Sequence, residues 1–542
     1  MPESKVVESG PVSTGGVSHR PMFAVAAVLL GAFLSNFHGR LFSIGLPDLR
    51  GALGLSFDEG AWLSTAATAP QIFVAPAVAW LATAFGIRRV LIGPSILYAL
   101  VSLLIPLTRD YSMLLALNIL HGLLLGTFVP VTLMIIFRNL PMKWWIAAIT
   151  VYSFRVGFTQ NFGVWAVGFY VAHPGWEWLY WQDILIAPLM GLMVYLGTPH
   201  EQVNKTLLAN ADWGGMLLFG AGLAMLYAGL DQGNRLDWLG SGTVTALLVA
   251  GGLLVVAFFI NEAVVREPWA HANVLFSRNI GLSLIVILLY TLTSLSNASL
   301  VPNFLTTIAQ LRPEQTGPLL LVCVAAPMLM LLPLVVYLLH RFDVRAVLIT
   351  GLAAFAVASL LGTAVSHDWS RGDFVPMLLL MAVGQAFALA PLILIALANS
   401  DPARATAFSA YIQVMRLGGA EIGAALVATW LRVREQIHSN FLGQYITSSD
   451  ADVVGRLNQL SAHFAGYGVG LAPGRALGTL AGVVQREANV LAYIDGFWLT
   501  FGLAIVALIF AACIGASPSG PFTPAASPLP TPQAPKPVAE GA

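Results

Sequence analysis

Long apolar stretches separated by short polar segments recur along nearly the whole chain. Each stretch is about 20 residues long, which is enough for an α-helix to cross a hydrocarbon core of about 30 Å. About fourteen such windows are present, and none shows the strict alternation expected of a spanning strand. The pattern therefore predicts an all-α integral membrane protein. The windows begin near Met22, Ala61, Val90, Met113, Trp145, Trp181, Trp213, Thr243, Ile280, Pro318, Ala346, Phe374, Ala405 and Tyr493.

Composition supports a membrane protein. Of the 542 residues, 57% are hydrophobic and 10% are charged, and 26 basic residues balance 26 acidic ones. Soluble domains carry about 25% charged residues. A neutral chain lacks the basic excess of a nucleic-acid binder, so no nucleic-acid partner is predicted. The two cysteines, Cys323 and Cys513, lie far apart in apolar stretches, and we predict neither a metal site nor a cofactor.

The distribution of Lys and Arg predicts the orientation. With the N-terminus inside, thirteen basic residues fall in cytoplasmic segments and five in the short outer loops, which agrees with the positive-inside rule. An even number of spans places both termini on the cytoplasmic side. The predicted location is a bacterial inner (plasma) membrane.

A weak internal repeat predicts the domain organisation. Residues Leu81 to Ile92 align without gaps on Leu338 to Ile349 with six identical positions, including Arg88 with Arg345. Both copies join the second to the third helix of a six-helix block. Equal position and direction in both blocks indicate parallel repeats about an axis along the membrane normal, the arrangement of major facilitator halves.

The predicted segments follow from this repeat. They are a cytoplasmic N-terminus at 1–20, an N-terminal six-helix bundle at 21–200, an inserted two-helix linker at 201–262, a C-terminal six-helix bundle at 263–515, and a disordered Pro-rich cytoplasmic tail at 516–542. A long outer loop near 432–489 contains an amphipathic run from Val453 to Phe464.

Five short motifs make the chain resemble the fourteen-helix drug:proton antiporters of the major facilitator superfamily, the EmrB/QacA type. They are Gly45 to Pro47, Gly60 to Trp62, Leu230 to Trp238, Leu275 to Asn279 and His340 to Arg345. The resemblance implies two six-helix bundles plus an inserted helix pair, proton-coupled efflux by alternating access, and partners in the form of a periplasmic adaptor protein and an outer-membrane channel.

The resemblance also implies a role in conformational gating for the loop between the second and third helix of each half. The residues at these positions are Arg88, Arg89, Asp343 and Arg345.

Several family motifs are altered in this chain. The first helix has Phe37-His38-Gly39-Arg40 where the family has an acid, and Asn118 takes the place of the fourth-helix arginine, followed by His121. The fifth helix lacks the antiporter proline between Arg155 and Gly163, and Thr83 replaces the usual loop aspartate. These changes remove the carboxylate and arginine on which the usual proton relay and cation export depend.

Basic and titratable residues inside the spans replace the lost motifs. An ionisable side chain in the membrane is costly unless it faces a cavity or a partner, so each is a site candidate. Arginine can bind a carboxylate bidentately, which predicts an amphipathic organic anion as substrate. The substrate-binding candidates are Arg40, Arg155, Asn118, His121 and Arg416. The proton-coupling candidates are His38, Glu421 and His121.

Counting along the helices places these candidates at similar depths, in the middle and outer half of the membrane. Arg40 or Arg416 could instead pair with Glu421 or with helix-end carbonyls, and a lone histidine can be a packing residue. Asp183 and Asp495 lie near predicted span ends, where we expect solvated carboxylates.

The leading functional hypothesis is a secondary active transporter that exports a small amphipathic compound or drug against proton entry. The alternatives are a membrane sensor or scaffold, a facilitator without proton coupling, and a membrane-embedded enzyme. The sequence contains no phosphate-binding loop ending in Lys-Ser/Thr, no His-Glu-x-x-His and no Gly-x-Ser-x-Gly. We therefore predict a transporter of small molecules and protons within the bilayer, not an enzyme.

Overall fold

The computed structural model describes residues 18–265, 268–271, 275, 278–398, 410–467 and 470–515. These residues form helices and turns and no strand. The predicted N-terminal segment 1–20 lies outside the described residues apart from its last three, and the predicted tail 516–542 lies entirely outside them. The start of the window near Ala405 also lies outside.

The first six long helices pack against one another, and we call them the N-terminal half. Helix α1 packs on α4, α5 and α6, helix α2 packs on α4, and helix α3 packs on α4 and α6. Their bounds are α1 Pro21–Leu53, α2 Phe57–Phe85, α3 Ile87–Leu104, α4 Tyr111–Asn139, α5 Trp145–Ala172 and α6 Trp178–Gly197.

A helix pair follows, and then six more long helices, which we call the C-terminal half. The pair, α7 and α8, packs together, and α7 also contacts α2 and α13. Helix α5 packs along α10 and α12 and so joins the two halves. The bounds are α7 Trp213–Leu236, α8 Gly242–Val264, α9 Ile280–Thr307, α10 Pro313–Arg341, α11 Val344–Gly362, α12 Val375–Ala398, α13 Ala410–Gln444 and α14 Ala472–Cys513.

Every predicted window forms a long helix in the described residues. Thirteen helices are both long and apolar enough to span a membrane. Helix α5 is long enough, with 28 residues, but Arg155, Gln160 and Asn161 lower its hydropathy. It lies between α1 and α10, which are spanning candidates, so we count it as the fourteenth span.

Local sequence explains where several helices begin. The Ser56 hydroxyl accepts a hydrogen bond from the Glu59 backbone N–H, and the Glu59 carboxylate accepts one from the Ser56 backbone N–H, which is a capping box at the start of α2. Asp110, Asp212 and Asp343 each accept a backbone N–H at the start of α4, α7 and α11. These caps satisfy amides that the first helical turn leaves without partners.

Glycines on α4 allow a close approach to α2. A Cβ on Gly122 would lie 2.4 Å from the Ala67 carbonyl oxygen, and one on Gly126 would lie 2.8 Å from the Gln71 carbonyl oxygen. Small residues at this spacing let helix backbones come together in lipid.

Three helices of the C-terminal half contain a π-helical turn: Ser296–Leu300 in α9, Leu321–Ala325 in α10 and Val414–Gly418 in α13. Such turns redirect side chains and are frequent at functional sites. Here one of them carries Arg416 and another supplies the Ala298 carbonyl discussed below.

The predicted long outer loop near 432–489 is mostly helical. Helix α13 continues to Gln444, and α14 begins at Ala472, well before the window near Tyr493. Between them lies the outer helix, Ala451–Phe464, which covers the predicted amphipathic run, has no buried residue and packs on α14.

Candidate functional site

Two histidines and an aspartate meet inside the N-terminal half. His38 of α1 lies with its Nδ1 2.6 Å from Oδ2 of Asp183 on α6, and the rings of His38 and His121 on α4 are 4.4 Å apart. The Tyr98 hydroxyl of α3 donates to the same Asp183 oxygen at 2.9 Å. All three ionisable side chains are at most 4% exposed. We call His38, His121 and Asp183 the His–Asp cluster.

Neutral side chains surround the His–Asp cluster. Ser102 Oγ lies 3.0 Å from His121 Nε2, and the Tyr180 hydroxyl donates to the Asn118 side-chain oxygen at 3.0 Å. The Asn118 amide donates to the Leu114 carbonyl. Asn118 therefore belongs to the packing of this cluster, with both its oxygen and its amide already hydrogen-bonded.

The expectation of a solvated carboxylate is wrong for Asp183. Helix α6 begins at Trp178, three residues before the window read from the sequence, so Asp183 lies about 8 Å inside the helix. It is fully buried, so Asp183 joins Glu421 as an acid well inside a span. The signal that the sequence offered for this contact was a polar residue, Asp183, at about the same depth in the membrane as His38. Sequence alone does not show which faces of α1 and α6 meet.

These three side chains could also hold a metal ion, which the sequence did not predict. Their ligand atoms lie within 4.8 Å of one another. The direct contact between His38 and Asp183, at 2.6 Å, is shorter than the separation of about 3.3 Å between two ligand atoms on a tetrahedral ion. We therefore interpret the cluster as an ion pair with a neighbouring histidine.

Two arginines meet where the two halves join. Arg155 of α5 donates through Nη1 to the Ala32 carbonyl at 3.0 Å and to Asn36 Oδ1 at 2.6 Å, and its guanidinium lies 4.2 Å from the centre of the Tyr152 ring. Both protein acceptors are on α1.

Arg416 approaches from the C-terminal half. Its Nη2 donates to Gln413 Oε1 at 2.8 Å, and Gln413 Nε2 lies 3.4 Å from the Tyr152 hydroxyl. Tyr152 and Gln413 therefore link the two guanidinium groups across the interface, and we call Arg155 and Arg416 the central arginine pair.

The central arginine pair lacks a counter-charge. Among the described residues, no carboxylate lies within 4 Å of either guanidinium. Arg155 is 2% exposed and Arg416 is 6% exposed, yet Arg155 Nε and Nη2 and Arg416 Nε have no hydrogen-bond partner. Buried charged donors without acceptors are costly, so the arrangement favours an anionic ligand.

Arg40 and Glu421 lie apart from both groups. Arg40 donates to the Gln160 carbonyl of α5 at 3.0 Å and to the Ala298 carbonyl of α9 at 2.8 Å, so it fastens the N-terminal half to a π-helical turn of the C-terminal half. Glu421 is close enough to Arg40 and Asp231 to interact electrostatically, but it forms no ion pair within 4 Å with any residue that the structure describes.

The candidate residues that lie at similar depths therefore form three separate groups in the structure. His38, His121 and Asn118 share one, Arg155 and Arg416 share the second, and Arg40 with Glu421 forms the third. Sequence analysis did not identify Asp183, Tyr98, Tyr152 and Gln413 as site residues. A polar residue in an apolar window does not indicate which neighbouring helix its side chain faces.

The gating candidates lie where the third helix of each half begins, and Arg88 and Arg345 occupy equivalent positions of the repeat. Arg88 donates to the Thr198 carbonyl, at the C-terminal end of α6. Arg345, its repeat partner, pairs with Asp343 at 2.7 Å and donates to the Ile514 carbonyl, at the C-terminal end of α14 at 3.4 Å. Each arginine thus fastens the third helix of its half to the sixth, so the repeat read from the sequence is also structural.

The N-terminal half replaces the missing loop aspartate with Glu201. This carboxylate pairs with Arg138 at 3.0 Å and accepts the Ile87 backbone N–H at 3.3 Å. Arg89 donates to the Glu201 and Phe85 carbonyls. Thr83 contacts only the Ala79 carbonyl of its own helix.

Comparison with known proteins identifies relatives over most of the chain. It is 22% identical over 495 residues to the multidrug export protein EmrB of Escherichia coli (strain K12), covering 89% of this chain and 93% of that one. It is 21% identical over 466 residues to the fatty acid resistance protein FarB of Neisseria gonorrhoeae, covering 85% and 90%.

Solved structures show the same fold. The proton:xylose symporter XylE, bound to 6-bromo-6-deoxy-D-glucose, matches with a TM-score of 0.58 at 12% identity, covering 93% of this chain and 97% of that one. At this identity the likeness concerns the fold alone. The Major Facilitator Superfamily model matches residues 28–423. With more than half of the chain matched and the repeat confirmed in three dimensions, this multi-pass membrane transporter belongs to the Major Facilitator Superfamily.

Proposed function

We propose that the protein exports small amphipathic anions, that protons drive the export, and that the central arginine pair binds the anionic group. The observation that carries this proposal is the meeting of Arg155 and Arg416 between the two halves, with no carboxylate of the described residues within 4 Å of either guanidinium. In alternating access, substrate sites lie near the midplane between the halves. A site at that place with two positive charges favours a negative substrate.

The chemistry of this pair suits a carboxylate. Each guanidinium presents several N–H donors in one plane and can bind both oxygens of a carboxylate. The unpartnered nitrogens of Arg155 and Arg416 supply three such donors. FarB carries the name of a fatty acid resistance protein, and a fatty acid is an amphipathic carboxylate, which agrees with this substrate class.

The His–Asp cluster is the proposed proton site. His38 and Asp183 are paired at 2.6 Å, and His121 beside them can accept a further proton. A buried site tolerates a change of charge poorly, so gain or loss of a proton favours a different packing of the surrounding helices. Glu421 remains a second candidate, because it has no ion pair within 4 Å and lies near Arg40.

Helix α1 connects the proton site with the substrate site. Ala32 and Asn36 hold Arg155, His38 holds Asp183, and Arg40 holds the Ala298 carbonyl of the opposite half. A shift of α1 caused by protonation would move the acceptors of Arg155 and loosen the Arg40 contact together. We infer that this helix couples proton entry to the release of the anion.

The remaining assignments complete the proposal. The segments 21–200 and 263–515 rock as units, and 201–262 is the inserted linker, with Arg88, Arg89, Asp343 and Arg345 holding the inner ends. The protein lies in a bacterial inner membrane with both termini in the cytoplasm. The outer helix, Ala451–Phe464, offers an exposed surface for a periplasmic adaptor protein, which would lead to an outer-membrane channel.

Transport in proteoliposomes tests the substrate proposal. A proton gradient is imposed, amphipathic weak acids and lipophilic cations are added in turn, and internal pH is followed against protein-free vesicles. We expect proton flux with the acids, a strong loss in Arg155→Gln and Arg416→Gln, and partial retention in Arg155→Lys. Arg371→Gln, in an exposed outer loop, is the matched control. Flux with the cations alone would refute the anion site, and no flux would favour a facilitator or scaffold.

A second comparison tests the proton site. We expect His38→Gln to abolish proton flux while counterflow of labelled substrate continues, since the central arginine pair is intact. His438→Gln is the control, because His438 also pairs with an aspartate at 2.6 Å but is partly exposed on α13. Equal proton flux in both variants would exclude His38 from coupling.

A further inference from the structure

A cleft of about 400 Å³ lies between the N-terminal half and the inserted helix pair. It opens at the ends of α1 and α7 and at the start of α2, the side that the charge distribution predicts to be outer. Its walls include Leu46, Arg50, Phe57, Ala61, Asp231 and Arg235. The residues that line this cleft do not include Arg155 or Arg416 of the central arginine pair, nor any other predicted site residue.

Arg50 is the unusual residue of this cleft. Its guanidinium lies 5.0 Å from the centre of the Phe57 ring, but within the described residues it makes neither a side-chain hydrogen bond nor an ion pair. Its Nε is buried without a partner. Guanidinium groups at such positions normally bind a carboxylate, a phosphate or a carbonyl.

The neighbouring acids do not neutralise Arg50. Asp231 accepts the Thr65 hydroxyl at 2.5 Å, and Asp58 pairs with Arg235 at 2.6 Å. Arg235 also donates to Gln232 and keeps Nη2 buried without a partner. Two guanidinium groups with unpartnered nitrogens therefore line one cleft. Arg235 has Asp58 as its counter-ion, whereas Arg50 forms no ion pair among the described residues.

The apolar walls add a second requirement on the ligand. Leu46, Phe57 and Ala61 flank the guanidinium groups. A cleft with a charged end and an apolar wall suits a molecule with an anionic head and a hydrocarbon portion.

We propose that this cleft is a second binding site for an amphipathic anion, held by Arg50 and Arg235 at the outer end of the transporter. The ligand class of this site rests on the proposed function, whereas the geometry of the cleft does not depend on that proposal. Helix α7 supplies one wall, so the inserted pair takes part in handling the ligand. Two sources share the required chemistry: the exported anion after it leaves the central arginine pair, and the head group of an anionic phospholipid from the outer leaflet.

Binding of a fluorescent dodecanoic acid to the purified, delipidated full-length protein in detergent tests the site. We expect two saturable sites in the natural sequence, one in Arg50→Gln and one in Arg155→Gln. Arg50→Lys should retain the second site with affinity reduced about tenfold. Arg109→Gln removes a charge from an exposed outer loop and should keep both sites. Thermal unfolding of each variant checks that it is folded.

The results separate the two proposals. If Arg50→Gln keeps both sites, as Arg109→Gln does, the outer site is refuted whatever Arg155→Gln shows. If Arg155→Gln keeps both sites but Arg50→Gln loses one, the central site fails and the outer site stands.

Competition identifies the source of the ligand. Loss of the Arg50-dependent site when anionic phospholipid is added, but not when neutral phospholipid is added, assigns the cleft to a lipid head group. Binding that resists both lipids assigns it to the exported anion.

Discussion

Replacement of Asp183 by asparagine should destabilise the N-terminal half strongly. Oδ2 of Asp183 lies 2.6 Å from His38 Nδ1 and accepts the Tyr98 hydroxyl at 2.9 Å, in a region with no exposed side-chain surface. Asp183→Asn keeps the size and an acceptor for Tyr98, but removes the charge that faces His38. The loss is therefore mainly that of one partner of a buried pair.

The magnitude follows from burial. Removing one partner of a buried ion pair costs about 3–5 kcal/mol, and the retained Tyr98 hydrogen bond places the expected loss near about 3 kcal/mol. The chain contains a matched comparison. Asp495 lies 2.6 Å from both His438 and Arg434, but its side chain is 23% exposed. Pairs nearer to solvent contribute about 0–1 kcal/mol, so Asp495→Asn should cost much less.

Unfolding in mixed micelles, followed by tryptophan fluorescence, measures both variants under the same conditions. Asp183→Asn should lose about 2 kcal/mol more than Asp495→Asn. Equal losses would show that burial does not decide the strength of these pairs. A stable Asp183→Asn variant would mean that His38 is neutral and that the cluster holds no ion pair, which would also remove the physical basis for assigning proton coupling there.

Two further predictions concern contacts away from the His–Asp cluster. A Cβ on Gly317 of α10 would lie 2.5 Å from the Trp165 Cα of α5, so Gly317→Ala should separate the outer ends of the halves. Spin-label distances between α5 and α10 should lengthen, whereas Gly443→Ala, with nothing within 4 Å, should leave them unchanged. Asp343 caps α11, and its hydrogen bond with Arg345 lowers the pKa of its carboxyl. Because this pKa is lower in the folded state, the ionised carboxylate stabilises the folded protein at pH values above the ordinary aspartate pKa. This stabilisation is lost as the pH falls through the pKa of the folded state. Since asparagine caps a helix about as well as aspartate, Asp343→Asn should lose only the exposed ion pair with Arg345, which is worth about 0.5 kcal/mol at neutral pH and nothing near pH 2. An equal cost at both pH values would contradict the assignment.

Hydrophobic pattern was sufficient to predict the helices because lipid requires each span to satisfy its own backbone hydrogen bonds. That requirement limits the length and the amino-acid composition of each span, and both can be read directly from the sequence. Helix ends were less accurate: α14 begins 21 residues before its window near Tyr493, since its outer part leaves the apolar region and continues as helix. A window of apolar residues detects the membrane boundary and not the end of the helix.

The grouping of the site residues could not be obtained in this way. Arg155 and His38 were placed at similar depths, yet one meets the C-terminal half and the other lies inside the N-terminal half. Depth follows from counting residues, whereas neighbours depend on how each helix is rotated about its axis. Rotation is set by packing among many side chains, as at Gly122 against Ala67, and no single residue in the sequence reports it.

The repeat makes the difference between the halves informative. Extending it without gaps from Arg88 and Arg345 pairs Ser102 with Ser359 and Tyr98 with Phe355. In the N-terminal half, Ser102 lies 3.0 Å from His121 Nε2. In the C-terminal half, the equivalent Ser359 accepts a hydrogen bond from the Thr500 hydroxyl at 3.2 Å.

The equivalent aromatic residues Tyr98 and Phe355 also differ, and again the polar contact is in the N-terminal half. Tyr98 donates to the Asp183 carboxylate, whereas Phe355 has no hydroxyl and packs against the Tyr290 ring at 6.0 Å. The same structural position is thus titratable in one half and neutral in the other. Because packing at this position is achieved without charge in the C-terminal half, the buried Asp183 and histidines that Tyr98 and Ser102 contact in the N-terminal half require another explanation. The proposed proton coupling through the N-terminal half, with the anion bound between both halves, would account for this asymmetry.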